Sequence, residues 1–275
     1  MSDIRVWQIT PTENIKLEID ASSLDEITQQ LPAGYYSTFR TFGSGTRILG
    51  LTSHLQRLYQ PVSNTEVDES VLRRRLSALL ESYYPGEARV RTVMTSRGKV
   101  YIAIAPLSPL PREVYEQGVR VETIELQREH PRLKSTSFIS RSDSERKHIA
   151  QEGIFEALLV TDGTILEGMT SNFFYVGQLS NLPCLGTARH GILLGITRET
   201  VLEIAQGRGL AVNYQPLKLA QIEDISEAFI TSSSRGIVPV IQIDEVTIGQ
   251  GSPGPITKEL WAAYEAHVLE IAERI

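Results

Sequence analysis

Ile165–Phe174, ILEGMTSNFF, places Glu167 and Asn172 between two stretches of apolar residues that favour burial. A buried carboxylate costs several kcal/mol unless positive charge or hydrogen bonds meet it. Glu167 therefore has either a structural partner or a ligand that needs a negative charge. Lys134 is a second candidate, set between Leu133 and the β-like, partly apolar Ser135-Thr136-Ser137-Phe138. An amine held in such a setting has a lowered pKa and can act as a nucleophile. The alternative is an ordinary strand lysine facing solvent.

Two further segments combine glycine with hydroxyl groups. In Gly191–Arg198, GILLGITR, a glycine precedes a helix start at Ile196 and Thr197, with Thr197 the expected N-cap. Open backbone N–H groups at such a start suit a phosphate, as well as an ordinary capped helix. Thr231–Gly236, TSSSRG, repeats the theme at the end of an expected strand. Arg57, in HLQRL, could supply the matching guanidinium, or lie on the exposed face of an amphipathic helix. Arg40, Arg89, Arg91 and Arg235 are candidates for binding substrate carboxylates, and Arg89 and Arg91 share a face if their stretch is a strand.

Other chemistries find no support in the sequence. His54, His130, His148, His190 and His267 never pair at a ligand spacing, so no metal site is expected. No Gly-x-Ser-x-Gly occurs, and Gly43-Ser44-Gly45 lacks the Gly-Lys-Ser/Thr of a phosphate loop. Cys184 is the only cysteine, which excludes an intrachain disulfide. A net charge of -6 gives no general reason to bind nucleic acid or an anionic membrane. No apolar leader or membrane span is visible, so a cytoplasmic location is expected.

Positioning these side chains needs a framework, and 275 residues at 41% hydrophobic can bury one or two cores. Strands are expected at Gly34–Phe42, Thr46–Leu51, Ala88–Thr95, Val100–Pro106, Gly118–Leu126, Glu156–Thr161, Ile165–Glu167 and Ala228–Thr231. Helices are expected near His54–Tyr59, Asp68–Tyr84, Ser142–Gln151 and Thr197–Gln206 and from Thr257 onward, with a short helix or turn at Gln221–Ile225. Asp162-Gly163 reads as a tight turn between two strands. Hairpins outnumber any regular βαβ alternation, which points to an α+β fold.

Taken together, Arg57 in HLQRL, Lys134, ILEGMTSNFF, GILLGITR and SSSRGIVPV resemble, in order and spacing, the class IV aminotransferases, the fold-type IV pyridoxal-phosphate enzymes. The resemblance runs from about Gly34 to Asp244. Three prolines within Pro106–Pro111 mark a soft domain boundary between about 107 and 127, and the resemblance agrees with it, so a small N-terminal α/β domain is expected over residues 1–115, a linker over 116–126 and a larger β-rich, cofactor-binding domain over 127–275. The resemblance also implies a homodimer, with the site between the domains. Lys134 would form the Schiff base with pyridoxal 5′-phosphate and shuttle a proton, and Glu167 would pair with the pyridine nitrogen. Arg57, Ile196, Thr197 and Ser233 would hold the phosphate, and Leu193 would pack on the ring.

The substrate side departs from the branched-chain members of that family. Their F-E-G-x-R becomes Tyr36-Ser37-Thr38-Phe39-Arg40, the tyrosine after the lysine becomes Phe138-Ile139, and their G-T-A-A-E loop becomes Ser232–Gly236. Tyr36, Arg40, Arg89, Arg91, Ser234 and Arg235 are the expected substrate contacts. The implied reaction is ping-pong transfer of an amino group between an amino acid, branched-chain type first, and a 2-oxo acid. A D-amino-acid or (R)-amine transaminase, or an aminodeoxychorismate lyase, is the alternative.

Overall fold

The computed structural model describes residues 4–275, which form two compact units. One contains the chain up to Ser108, Leu133–Arg141 and Val268–Ile275; the other contains Pro109–Arg132 and Ser142–His267. This division is discontinuous, unlike the consecutive segments expected from the sequence. Unit membership follows strand pairing rather than chain order. The Lys134 segment pairs with the start of a strand about a hundred positions earlier, where the Gly34 N–H donates to Thr136 Oγ1 at 3.0 Å. Most of residues 116–126, read as a linker, form a strand inside the second unit.

The first unit is built on strands β1 (Arg5–Ile9), β2 (Asn14–Leu17), β3 (Gly34–Phe42), β4 (Arg47–Ile48), β5 (Ala88–Thr95) and β6 (Val100–Pro106), with helices α1 (Leu24–Gln30), α2 (Leu51–Tyr59) and α3 (Glu69–Leu80). The sheet order is Glu273–Arg274, β4, β3, β5, β6, β1, β2. Alternation along β3 sends Phe39 to one face and Tyr36 and Thr38 to the other. Phe39 joins Val90, Met94, Ile102 and Ile104 in a core closed by Leu51, Leu55 and Leu58 of α2 and by Leu72, Leu76 and Leu80 of α3. Those leucines recur at helical spacing, which is why both helices lie on this face. The opposite face carries Tyr36, Val93 and Tyr101 with Ile139, and Leu24 and Ile27 of α1 pack on Val6 and Ala103.

In the second unit, β7 (Val119–Glu125), β8 (Glu156–Thr161), β9 (Thr164–Gly168), β10 (Asn172–Leu179), β11 (Leu182–Gly186), β12 (Ala211–Asn213), β13 (Leu217–Lys218), β14 (Glu227–Ser232), β15 (Gly236–Ile243) and β16 (Val246–Thr247) make one sheet. It is accompanied by α4 (Arg112–Gln117), α5 (Asp143–Gln151), α6 (Ile196–Gly207) and most of α7 (Pro255–Ile271), whose last turn from Val268 belongs to the first unit. Neighbours run β10-β14-β15-β7-β8-β9, and β9 then pairs with β10 through Glu167 opposite Asn172. That single pair closes the strands into a ring. Asp162 and Gly163 both take positive φ between β8 and β9, as a two-residue hairpin turn requires.

Several boundaries differ from expectation. Helix α3 ends at Leu80 and tightens into a 3₁₀ turn over Glu81–Tyr83, and the strand expected over Thr46–Leu51 is reduced to β4. Helix α6 begins at Ile196 with Gly195 as its N-cap, so Thr197 lies inside the first turn. Among the described residues, no helix is long and apolar enough to cross a membrane, and no group of three or more His, Cys, Asp or Glu could hold a metal ion.

Candidate active site

The Lys134 segment runs antiparallel to the start of β3. The Tyr36 N–H donates to Lys134 O at 2.9 Å, and the Thr136 N–H donates to Gly34 O at 2.9 Å. Fixing the backbone on both sides of Lys134 fixes where its amine can reach. Lys134 Nζ lies 5.0 Å from the centre of the Tyr36 ring, and Arg91 Cζ lies 4.7 Å from the same centre. Arg91 is buried and heavily engaged. Its Nη1 donates to Asp25 Oδ1 at 2.5 Å, to Leu24 O at 2.9 Å and to Thr28 Oγ1 at 3.0 Å, and its Nε donates to Thr38 Oγ1 at 2.9 Å.

On the other face of this sheet, His54 of α2 shares a 2.7 Å hydrogen bond through Nδ1 with Ser37 Oγ, while its buried Nε2 has no partner among the described residues. Burial first, and then the charges of Arg57 and Lys134, push the His54 pKa well below its ordinary range. This imidazole is therefore neutral at pH 7. Arg57 stands at the half-buried C-terminal turn of α2.

The second unit holds Glu167, 2% exposed, at the closure of its strand ring. Oε1 accepts from Arg128 Nε at 2.8 Å, and Oε2 accepts from the Leu193 N–H at 3.0 Å and from Asn172 Nδ2 at 3.3 Å. Arg128 also donates through Nη2 to Met169 O at 2.7 Å. Asn172 donates to Leu193 O at 2.7 Å, so one side chain ties the acid to the loop that leads into α6. A methyl group at Gly195 would collide with Asn172 Oδ1, which accounts for glycine there.

The helix that follows starts without a side-chain cap, and among the described residues the buried Oγ1 of Thr197 in its first turn lacks a hydrogen-bond partner. Thr231 Oγ1, at the end of β14, is likewise buried without one. A buried hydroxyl without a partner costs about 1–3 kcal/mol. An anion seated at the helix start would meet that hydroxyl and the first N–H groups together. A cationic ring nitrogen suits the Glu167 carboxylate, which has about four acceptor directions to offer. In its donor types, this unit fits a group with an anion at one end and a basic nitrogen at the other.

Other candidates have different surroundings. Arg235 Nη2 donates to the buried Glu156 carboxylate at 2.9 Å and to Thr170 Oγ1 at 2.6 Å, and its Nε donates to Ser232 Oγ at 3.1 Å. This arginine ties the β14–β15 turn to β8. Ser233 and Ser234 are half-buried in that turn. Arg40 and Arg89 face each other across β3 and β5, with Arg40 over the Phe42 ring at 4.5 Å and Arg89 exposed. Ile196 and Leu193 are buried near the start of α6. Arg128 and Asp25 escaped the sequence reading because their partners lie 39 and 66 positions away. No local pattern signals either pairing.

Residues 34–243 match the family model described as amino-transferase class IV. The chain is 28% identical over 268 residues to the D-alanine aminotransferase of Bacillus licheniformis, covering 90% of this chain and 92% of that protein. It is 28% identical over 246 residues to the branched-chain-amino-acid aminotransferase of Pseudomonas aeruginosa, covering 80% and 78%. Its fold matches the crystal structure of the branched-chain aminotransferase from Thermoproteus uzoniensis with norvaline, at a TM-score of 0.76, 22% identity and coverage of 97% and 95%.

Proposed function

The chain belongs to the class IV aminotransferases, enzymes that use pyridoxal 5′-phosphate, and from that premise we propose that it moves an amino group between a branched-chain amino acid and a 2-oxo acid. The observation that carries the reading is the arrangement around Asn172. It joins a buried acid, Glu167, to the uncapped start of α6, where Thr197 Oγ1 is unpartnered. When bound, the cofactor supplies an aldehyde that condenses with amines and a ring that takes up the electrons released at the substrate α-carbon.

In this proposal Lys134 would hold the cofactor through its amine, and that amine, when free, would take the proton from the substrate α-carbon and hand it on. Glu167 keeps a proton on the pyridine nitrogen; Arg128, the Leu193 N–H and Asn172 fix the carboxylate that does so. Thr197 Oγ1, the N–H groups of Ile196 and Thr197, Arg57 and Ser233 would hold the phosphate, and Leu193 would pack on the ring. Tyr36 supports the amine and the substrate.

A D-amino-acid transaminase is the second reading, favoured by the likeness to the D-alanine enzyme over nine-tenths of this chain. Purified protein should carry a near-visible absorption band that Lys134→Ala abolishes. A screen of L-amino acids, D-amino acids and (R)-amines, following that band during the first half-reaction, should show leucine, isoleucine or valine fastest. Bleaching by D-alanine alone would select the second reading, and pyruvate release from aminodeoxychorismate a lyase. A colourless wild type that cannot be reconstituted would refute both transaminase readings. The protein is further proposed to be a cytoplasmic homodimer, a stoichiometry that light scattering tests.

A further inference from the structure

Arg91 and Lys134 share the Tyr36 ring, so no more than the sum of their two ring distances separates the guanidinium carbon from the amine. A guanidinium so placed would ordinarily be a strong receptor for a carboxylate, through two parallel N–H bonds. Those bonds need two adjacent nitrogens, either Nε with one terminal nitrogen or both terminal nitrogens. Here Nε is given to Thr38 Oγ1, and Nη1 to Asp25, Leu24 O and Thr28. Every two-nitrogen edge therefore includes an atom already engaged. Asp25 also brings a negative charge to the guanidinium, which an arriving carboxylate would have to approach or displace.

The engagement is held by rigid structure. Asp25 lies in the first turn of α1, whose N-cap Ser23 accepts from the Glu26 N–H at 3.1 Å. Leu24 and Ile27 anchor that helix on Val6 and Ala103 of the sheet. Thr38 and Arg91 are directly opposed on β3 and β5.

We propose that Asp25 is a specificity-determining residue. By setting a negative charge against Arg91, beside neutral acceptors that would remain without it, Asp25 directs the enzyme toward substrates with one carboxylate, such as aliphatic amino acids and pyruvate, and against dicarboxylates, such as glutamate and 2-oxoglutarate. Discrimination here comes from an introduced repulsion rather than an added attraction. The inference rests on the transaminase reading above.

The test uses the cofactor-loaded enzyme. Wild type should use pyruvate at least tenfold better than 2-oxoglutarate in kcat/KM. Calorimetric titration with glutarate, which has two carboxylates and no reactive carbonyl, supplies a readout independent of turnover. Asp25→Asn should tighten glutarate binding at least tenfold and leave 4-methylpentanoate within twofold. The gain should vanish in Asp25→Asn/Arg91→Met. Glutarate binding that Asp25→Asn leaves unchanged, or a gain that survives loss of Arg91, overturns the proposal. If Asp25→Asn does not fold, the wild type decides: equal use of pyruvate and 2-oxoglutarate overturns this inference alone. Transamination of no acceptor overturns the proposed function as well.

Discussion

Arg128 Nε stands 2.8 Å from Glu167 Oε1, and the two side chains are 7% and 2% exposed. The buried acid is thus met by a cation of the chain itself as well as by the ligand proposed for it. Removing one partner of a buried pair leaves an uncompensated charge, at a cost of about 3–5 kcal/mol. Arg128→Ala should lower stability by roughly that amount in urea unfolding. Arg128→Lys should recover only part, because a lysine amine cannot reproduce the separate donations by Nε and Nη2 to Glu167 and Met169 O. An Arg128→Ala protein as stable as wild type would mean that Glu167 is not charged in the fold.

Thr197 Oγ1 offers the opposite case, a buried polar atom without a partner among the described residues. Thr197→Val keeps the shape and removes an unmet hydrogen-bonding group. The variant should unfold within about 0.5 kcal/mol of wild type, or slightly later. If this hydroxyl serves the cofactor phosphate, cofactor affinity should fall about tenfold, the effect of one hydrogen bond of about 1.4 kcal/mol. Equilibrium dialysis of the cofactor measures this directly. Equal affinity in the two proteins removes Thr197 from the phosphate site.

Strands β3, β5, β6 and β8 were legible end to end because alternating or continuous apolar runs stop at turn residues. The start of α6 was legible to within one residue. Thr197 looked like its cap by residue type, but Gly195 takes the N-cap position because Asn172 Oδ1 packs where a side chain would stand. Glu167 and Asn172 announced themselves as polar residues in an apolar stretch. Their pairing as the closure of the strand ring did not, since it depends on four other strands coming between β9 and β10. Arg91 was read as a carboxylate receptor from its type and spacing; its commitment to Asp25 is a tertiary fact that neither residue's neighbours encode.

Gly195 connects local geometry to the proposed cofactor site. A methyl group there displaces Asn172, the residue that donates both to Leu193 O and to Glu167. Gly195→Ala should therefore weaken cofactor binding by about tenfold or more, equivalent to loss of at least one hydrogen bond. Its φ of -73° is ordinary for alanine, so backbone strain is not the cause. Combining Gly195→Ala with Asn172→Ala should add little to either change alone, because both act through the same side chain. Independent, additive losses in a titration of the near-visible band would show that Gly195 acts by another route.

His54 makes acid sensitivity predictable. Its pKa is held well below 6.5 in the fold, by burial first and then by Arg57 and Lys134. Unfolded chains therefore bind a proton at this residue that the folded protein refuses, once the pH falls below about 6.5. Stability from neutral His54 is fully present above that pH and is lost as the pH drops toward the depressed folded value. The limiting slope is about 1.4 kcal/mol per pH unit. His54→Asn can still hydrogen bond to Ser37 but cannot take up the proton. It should be less stable than wild type at pH 7.5, where the tight packing of His54 against Phe39 is lost. That deficit should shrink as urea midpoints are followed down to pH 5, while the near-visible band reports whether the cofactor stays bound. Curves that run parallel over this range would mean that His54 takes up its proton at the same pH folded and unfolded, against the lowered pKa that its burial implies.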